Sequence, residues 1–490
     1  MFALALALVV GAAPQAAAAP VAPLSHSGRW ITDADGRVVI LHGVNMVYKR
    51  PPYYPAAGGF GADDAAFLEQ NGFNTVRLGL IYKGIEPSPG SYDGSYLSQI
   101  GSTESTLAQH GIFSLLDFHQ DLYNERFGGE GWPDWAVQDD GLPAVPNVGF
   151  PGNYLVMAAL NRAYDHFWAN SPGPSLVGLQ NRYVAALAAV ARRFDGNSHT
   201  LGYDLMNEPW PGSAYPTCAN PLGCPLFDTG PLSAFTQRAI AAIRATGARR
   251  LAWYEPLLTF DFGAQTSLPD TGDPQAGMSF HDYCLPGAFG GPTGDACSTF
   301  EDLPFQNAES HSTSTGDAGL LTEFGATDDL ATIERIIDDA DRHMVGWQYW
   351  HYCGCDDPTT QAATQQALVN DASKPPTGDN VREAKLEVLS RPYPQAIAGT
   401  PRSYGFDRST DRFHLTYSTL GPGGRLFGPS SETEIFVGHL HYPNGYVVAV
   451  DGGVAASGNG ADVLRVRPCP GATQVSVTVG PPGSAADSGC

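Results

Sequence analysis

The chain has 490 residues, which at roughly 100–200 residues per domain allows two or three domains, or one large domain plus a small one. With 43% apolar and only 16% charged residues it can bury a sizeable core, which excludes wholesale disorder. Its 27 Lys and Arg against 50 Asp and Glu give a net charge of −23, so it lacks the basic footprint of a nucleic-acid binder.

Phe2–Ala13 is an apolar run rich in Ala, Leu and Val, followed by small residues at Gln15–Ala19. That pattern reads as the apolar region and cleavage zone of a secretory signal peptide over residues 1–19, too short to span a bilayer. A secreted protein is therefore expected. Eight β-prone runs follow: Val38–Val44, Thr75–Leu80, Phe113–Phe118, Leu201–Met206, Arg250–Tyr254, Met278–His281, Gly319–Thr322 and Val345–Trp350. Helical patterns lie between several of them. Ala62–Asn71 stops at Gly72, and Tyr183–Phe194 places Val184, Leu187, Ala188, Ala191 and Phe194 on one stripe. Phe235–Thr246, Thr332–His343 and Val381–Leu389 read likewise. Alternating strands and helices imply parallel βαβ units, and eight of them predict an α/β fold, a (β/α)8 TIM barrel over residues 20–395. An open doubly wound sheet is the alternative, disfavoured because the first strand lacks a G-x-G-x-x-G turn.

After Pro392 the pattern changes. Arg412–Tyr417, Thr433–Val437, Gly445–Val450, Val463–Val466 and Gln474–Val479 are short, β-prone and separated by Gly, Pro and Ser, which predicts an all-β sandwich over residues 396–490. The 57 glycines and 39 prolines are nearly a fifth of the chain, against about an eighth in average proteins. Long, shaped loops are their expected place. The eight cysteines fit disulfides in an oxidising compartment. Sequence proximity suggests Cys218–Cys224, Cys284–Cys297 and Cys469–Cys490. Cys353 and Cys355 are left, and a bond between them would close a tight, strained loop. Zinc is the alternative for some of them, but no paired C-x-x-C motif supports it.

In such a barrel the chemistry gathers at the C-terminal ends of the strands. The polar residues found there are Asn45 and Lys49, Arg77, Asp117–Asp121, Asn207-Glu208-Pro209, His281-Asp282-Tyr283, Glu323-Phe324-Gly325 and Trp350. Two carboxylates stand out, Glu208 after strand four and Glu323 after strand seven. Cleaving a glycosidic bond needs one carboxyl group to protonate the leaving oxygen and a second to attack the anomeric carbon or activate water. Each glutamate alone reads as a solvated loop residue; the pair at these two strand ends does not.

Asn207-Glu208-Pro209, Thr322-Glu323-Phe324-Gly325, Val76-Arg77-Leu78 and Asp117–Asp121 resemble retaining glycoside hydrolases of family five. The longer strings Tyr203–Pro209 and Asp117–Asp121 are similar to the endoglycoceramidases within that family, as is Pro392–Pro401 where those enzymes pass into a C-terminal sandwich. The resemblance implies a retaining endo-β-glycosidase that cuts between glycan and ceramide in glycosphingolipids, with Glu323 as nucleophile and Glu208 as acid/base. It implies that Arg77 holds Glu323 ionised, Tyr283 donates to it and His281 sits beside the acid/base. Asn207 would bind the sugar 2-hydroxyl, and His119, Asp121 and Lys49 other hydroxyls, with Trp350 stacked on the ring. No cofactor, metal, nucleic acid or obligate protein partner is implied. Asn45–Pro52 departs from the glucosylceramide-cutting members and is closer to the branch that cuts galactosylceramide.

Such a substrate, in a micelle or membrane, requires an apolar surface. Candidates are the aromatics of Leu122–Trp168, then Leu257, Leu258, Phe260 and Phe262, and the Pro51–Pro55 stretch with Tyr53 and Tyr54. Packing over the barrel helices is the plainer account of the same residues. Two other functions stay open on the sequence: a family-five glucanase, mannanase or β-glucosidase on non-lipid glycans, and a carbohydrate-binding surface protein without turnover.

Overall fold

The computed structural model describes residues 20–490 apart from 289–290, 292–296, 361–362, 459 and 485–487; the expected signal peptide at 1–19 lies outside the described residues. Eight parallel strands close into a barrel: His42–Met46, Thr75–Ile81, Phe113–His119, Thr200–Asp204, Leu251–Tyr254, Ala276–Asp282, Ala318–Phe324 and Trp347–Tyr349. The last pairs back onto the first through Trp347 with His42 and Tyr349 with Val44. Almost every strand residue is buried. A helix layer covers the outer faces and side chains fill the interior, so these strands read in sequence as unbroken apolar runs.

The helices start and stop for local reasons. Asp93 caps Gly94–Gln109 by accepting from the Ser95 and Tyr96 amides, and Asp329 caps Leu330–His343 through the Ala331 and Thr332 amides. Ala62–Gln70 ends at Asn71 and Gly72, where φ is +81° and a Cβ would lie 2.5 Å from the ring of Phe436. Glycine is therefore required twice over, by the turn and by the close approach. Between strands five and six the usual helix is missing. A single 3-10 turn, Leu258–Phe262, stands in its place and brings that loop down onto the barrel mouth.

The C-terminal region is two facing sheets. The five-stranded sheet orders Thr400–Asp407, Arg412–Ser418, Gln474–Gly480, Val447–Asp451 and Ser488–Gly489. The seven-stranded sheet departs from the expected division at 395/396. It begins with Ser25–Ser27, Trp30–Thr32 and Val38–Val39 and continues through Tyr393–Ile397, Thr433–Phe436, Val463–Pro468 and Gly453–Ala455. Val39 and Val38 pair antiparallel with Ala396 and Ile397, and Val38 and Ile40 join the sandwich core. The predicted strand Val38–Val44 is thus two strands, one in each domain. Their apolar residues run on without a break, so no polarity signal marks where the hydrogen-bonding partner changes.

The sandwich is anchored at the N-terminal ends of the barrel strands, opposite the mouth. His42 stacks between Trp347 and Tyr393, at 4.3 and 3.6 Å between ring centroids. The Tyr393 hydroxyl donates to the Gly72 carbonyl at 2.6 Å, and fully buried Arg391 pairs with Asp338 and Asp341 of Leu330–His343. All eight cysteines pair: Cys218–Cys224, Cys284–Cys297, Cys353–Cys355 and Cys469–Cys490. The first three brace loops after strands four, six and eight. No helix among the described residues is long and apolar enough to cross a membrane.

Candidate active site

At the C-terminal mouth lies a cavity of about 420 Å3 whose lining includes Lys49, Asp121, Glu208, Asp261, Tyr283, Glu323, Trp350 and Thr359. Glu208 follows strand four and holds its backbone at φ +42°, a sparsely populated conformation for a residue with a side chain. The turn is fixed from below: the Glu208 amide donates to Glu255 Oε2 at 2.7 Å, and Pro209 follows. Glu323 lies on strand seven. After it, Gly325 takes φ +101°, and any Cβ there would collide with the Tyr349 ring. One oxygen each of Glu208 and Glu323 and a ring nitrogen of His281 lie within 4.8 Å of one another.

Both oxygens of Glu323 accept hydrogen bonds, Oε1 from Arg77 Nη1 at 2.5 Å and Oε2 from the Tyr283 hydroxyl at 3.0 Å. Burial pushes its carboxyl above the ordinary glutamate value. The His281 and Arg77 charges oppose that and Glu208 adds to it. Arg77 was expected to keep Glu323 ionised; burial outweighs the two cations, so the carboxylate is held by direct donors while its proton affinity is raised. Tyr283 is itself pushed up by burial and by the Glu323 charge, which keeps the phenol a donor. His281 Nδ1 stands 3.0 Å from Glu208 Oε1 and 3.7 Å from Glu323 Oε2. Despite burial, Glu323, Glu255 and Glu208 hold its imidazole well above the usual histidine value, as a cation.

Arg77 is the centre of the layer beneath. Its guanidinium donates to Asp204 at 3.0 Å, Asn207 at 2.9 Å, Glu255 at 2.8 Å, Glu323 and Asn45, with Asp117 at 3.1 Å. Burial works against its charge, but Asp117, Asp204, Glu323 and Glu255 raise its pKa well above the arginine norm. Asn207 also donates from Nδ2 to the Gln120 carbonyl at 3.0 Å, leaving one amide hydrogen uncommitted. The sequence leads one to expect Asn207 and His119 against the sugar and Arg77 and His281 against the two glutamates. None of the four lies in the cavity wall; each sits directly behind a residue that does.

The second cluster surrounds Lys49. Its ammonium reaches Asp121 Oδ2 at 2.6 Å, Thr359 Oγ1 at 2.7 Å and Asp357 Oδ1 at 3.3 Å, and lies 4.5 Å from the centroid of the Trp350 ring. Burial lowers its proton affinity, but Asp121, Asp357 and Glu130 more than restore it. His119 Nδ1 donates to Asp117 Oδ2 at 2.8 Å, and the ring stacks on Trp350 at 5.3 Å. Its pKa is raised to about 10: burial is overcome by the Asp117 and Asp121 carboxylates. The Trp350 indole donates to Gln366 at 2.9 Å.

Among the described residues three groups have the spacing of a cation site: His351, Cys353 and Cys355; His119, Asp121 and Glu130; and Glu208, His281 and Glu323. A disulfide joins the cysteines of the first, the Lys49 ammonium stands beside the second, and Arg77 bonds to the third. Each therefore carries its own compensation.

Sequence reasoning missed Glu255, Asp204, Asp261 and Glu130. Glu255 had a usable signal. Tyr254-Glu255-Pro256 ends strand five as Asn207-Glu208-Pro209 follows strand four, a carboxylate then a proline. Most of the expected lipid-facing aromatics turn inward. Tyr123, Phe127, Trp132, Tyr154 and Phe167 are fully buried, with Tyr123 stacked on Trp132 at 4.2 Å. Phe150, Leu258 and Phe262 do line the cavity.

A closed (β/α)8 barrel with two glutamates converging at the ends of strands four and seven defines a glycoside hydrolase of the two-carboxylate type. Residues 32–356 match the family model for Cellulase (glycosyl hydrolase family 5), and residues 391–479 match the glycoside hydrolase family 5 C-terminal domain. The chain belongs to glycosyl hydrolase family 5. It is 33% identical over 480 residues to endoglycoceramidase I of Rhodococcus hoagii, covering 96% of this chain and 90% of that protein. Endo-glycoceramidase II from Rhodococcus sp. superposes with a TM-score of 0.74 both as a lactosyl-enzyme intermediate, 29% identical, and as a ganglioside GM3 complex, 28% identical. Those matches cover 92% of this chain and 98% and 99% of that one. An endogalactoceramidase structure, 24% identical, shares the fold with a TM-score of 0.70 over 94% of this chain and 99% of its own.

Proposed function

We propose that this protein is a secreted, retaining endo-β-glycosidase that hydrolyses the linkage between glycan and ceramide in glycosphingolipids. The observation that carries the reading is the approach of the Glu208 and Glu323 oxygens to within 4.8 Å at the wall of the mouth cavity. Oxygens that close fit a retaining pair, whose carboxyl groups stand about 5–5.5 Å apart, rather than an inverting pair at about 6.5–9.5 Å. In the first step Glu323 attacks the anomeric carbon while Glu208 gives its proton to the departing ceramide oxygen, forming a glycosyl ester and free ceramide. In the second, Glu208 takes a proton from water as the oxygen attacks the same carbon, releasing the glycan and regenerating the Glu323 carboxylate.

Arg77, Tyr283 and His281 position the two glutamates. Lys49 and Asp121 contact hydroxyls of the bound sugar and Trp350 supports the ring, with His119 and Asn207 behind them, the latter keeping one amide hydrogen on the side of the 2-hydroxyl. The likeness to endoglycoceramidases along nearly the whole chain supports ceramide as the leaving group. The apolar residues Phe150, Leu258 and Phe262 in the wall support it too. Substrate presented in a micelle or membrane fits the exposed apolar side chains of the mouth loops, and the acidic surface fits neither nucleic acid nor anionic lipid. Secretion is supported by the apolar leader-like run and by eight paired cysteines.

Incubation with a panel of glucosyl- and galactosylceramide-based glycolipids, with the released glycan weighed by mass spectrometry, should yield an intact oligosaccharide and ceramide, and names the first sugar. Glu323→Gly should lose about four orders of magnitude in turnover, and added azide should return part of it as a β-glycosyl azide. Hydrolysis of soluble polysaccharide in preference to glycolipid would overturn the substrate; wild-type turnover in the variant would overturn the nucleophile.

A further inference from the structure

We infer that Asp261 shares a single proton with Glu208, keeping the acid/base supplied with the proton it delivers to the leaving oxygen; this rests on the reading of Glu208 given above. Asp261 sits on the one-turn segment Leu258–Phe262 that replaces the fifth barrel helix, and it lines the cavity. Its Oδ2 is buried and no N–H or O–H among the described residues donates to it. His281 Nδ1 lies 3.9 Å from that oxygen and 3.0 Å from Glu208 Oε1, so one imidazolium faces both carboxyls. Two acidic groups thus converge on one imidazole N–H, which can satisfy only one of them, and Glu208 at 3.0 Å takes it. A carboxylate accepts and does not donate, so the Asp261 oxygen left without a donor is accommodated by a proton held between the two carboxyls. Burial first, and then the Glu208 charge, push the Asp261 carboxyl far above its ordinary value.

The groups facing Asp261 come from each neighbouring element: Glu208 from the loop after strand four, Glu255 from the end of strand five, His281 and Tyr283 from strand six and its loop. Glu323 stands across His281. The same turn also reaches the nucleophile. The Asp261 carbonyl accepts from the Tyr283 amide at 3.1 Å, and the Tyr283 hydroxyl donates to Glu323. Asp261 is thus a positioning residue whose side chain serves one glutamate and whose backbone serves the other.

The proton count is simple. At rest the pair carries one proton. It leaves on the ceramide hydroxyl as the glycosidic bond breaks and the Glu323 ester forms, and the pair is left with two negative charges beside His281. That doubly charged pair is a stronger base than one carboxylate, so it draws the proton from the attacking water as the ester is cleaved, which restores the single proton.

The test is the pH profile of kcat/KM for Asp261→Asn, with a glycosphingolipid and with an activated aryl glycoside that needs no proton on leaving. Without the second negative charge the remaining carboxyl gives up its proton at lower pH. The basic limb with glycolipid should therefore move down by about one pH unit or more, while the aryl glycoside keeps most of its rate in the glycosylation step. An unmoved basic limb, or equal losses on both substrates at every pH, would overturn the inference. Asp261→Ser, smaller and unable to ionise, should show the same shift if the asparagine variant fails to fold. Absence of glycolipid hydrolysis by the wild type would instead overturn the reading of the function, and the two failures are told apart by that control.

Discussion

Arg77 lies in a sealed layer across the top of the barrel, where Asp117, Asp204, Glu255 and Glu323 converge on one guanidinium. Lys49 reaches Asp121, Asp357 and Thr359 from the wall of the cavity itself. Both cations are buried and both are matched by carboxylates, yet their chemistry differs. The planar fork of Arg77 fixes five donors at once, and every partner it fixes is another part of the protein. The ammonium of Lys49 is a compact charge with three rotatable donors, and two of its partners, Asp121 and Thr359, also face the cavity. The arginine builds the site, whereas the lysine is arranged to exchange protein partners for sugar hydroxyls.

The largest expected effect follows from breaking the sealed half. Arg77→Met leaves four carboxylates facing one another without a counter-charge, and removal of one partner from a buried ionic network costs about 3–5 kcal/mol. Unfolding in urea should register that loss, and turnover should be abolished in whatever folded protein remains. Lys49→Met is expected to be milder in stability and specific in kinetics. Asp121 borders the cavity, where water can solvate it, so the melting temperature should fall less than in the arginine variant. The lost charged hydrogen bond to sugar, about 1.5–3 kcal/mol, should lower kcat/KM on the order of 10–100-fold. Equal destabilisation by the two variants would erase the distinction between a building cation and a binding one.

The same division explains what could be read in the sequence. Glu208 and Glu323 are legible because each is a polar residue at the end of an apolar strand, Lys49 because it follows one and Arg77 because it interrupts one, and the strands are legible because burial on both faces makes them continuous apolar runs. Gly94–Gln109 is not, since Gly, Ser and Thr occupy much of a helix whose start is fixed by one capping aspartate. Asp261 is not, because its role depends on a 3-10 turn where a helix belongs to the pattern. The shared sheet of the sandwich is invisible for a different reason. Pairing of Val38–Val39 with Ala396–Ile397 is a contact across more than 350 residues, and periodicity carries no information on partners that remote.

The smallest expected effect concerns the outer edge of the cavity, where the comparison turns from cations to apolar groups. Leu155 and Val148 after strand three, Leu222 and Leu226 after strand four and Phe300 after strand six are exposed, Leu226 to 89% and Phe300 to 58%. The loops that carry them touch: the Tyr215 hydroxyl donates to the Leu155 carbonyl at 2.6 Å, and the Trp168 and Phe227 rings meet at 5.0 Å. Exposed side chains of this kind contribute little to folding, so Leu226→Ser with Phe300→Ser should change stability by less than about 0.5 kcal/mol per site. With a net charge of −23 the protein gains nothing from anionic lipid, so any hold on a glycolipid-bearing surface has to be apolar. Each buried leucine or phenylalanine is worth about 1.5–3 kcal/mol at most, and partial insertion less, so a several-fold loss of turnover on vesicle-borne glycolipid is expected. Turnover of a water-soluble aryl glycoside, which needs the Lys49 and Arg77 clusters but no lipid surface, should stay at the wild-type level. An equal drop on both substrates would assign these side chains to loop packing and return lipid contact to the cavity wall alone.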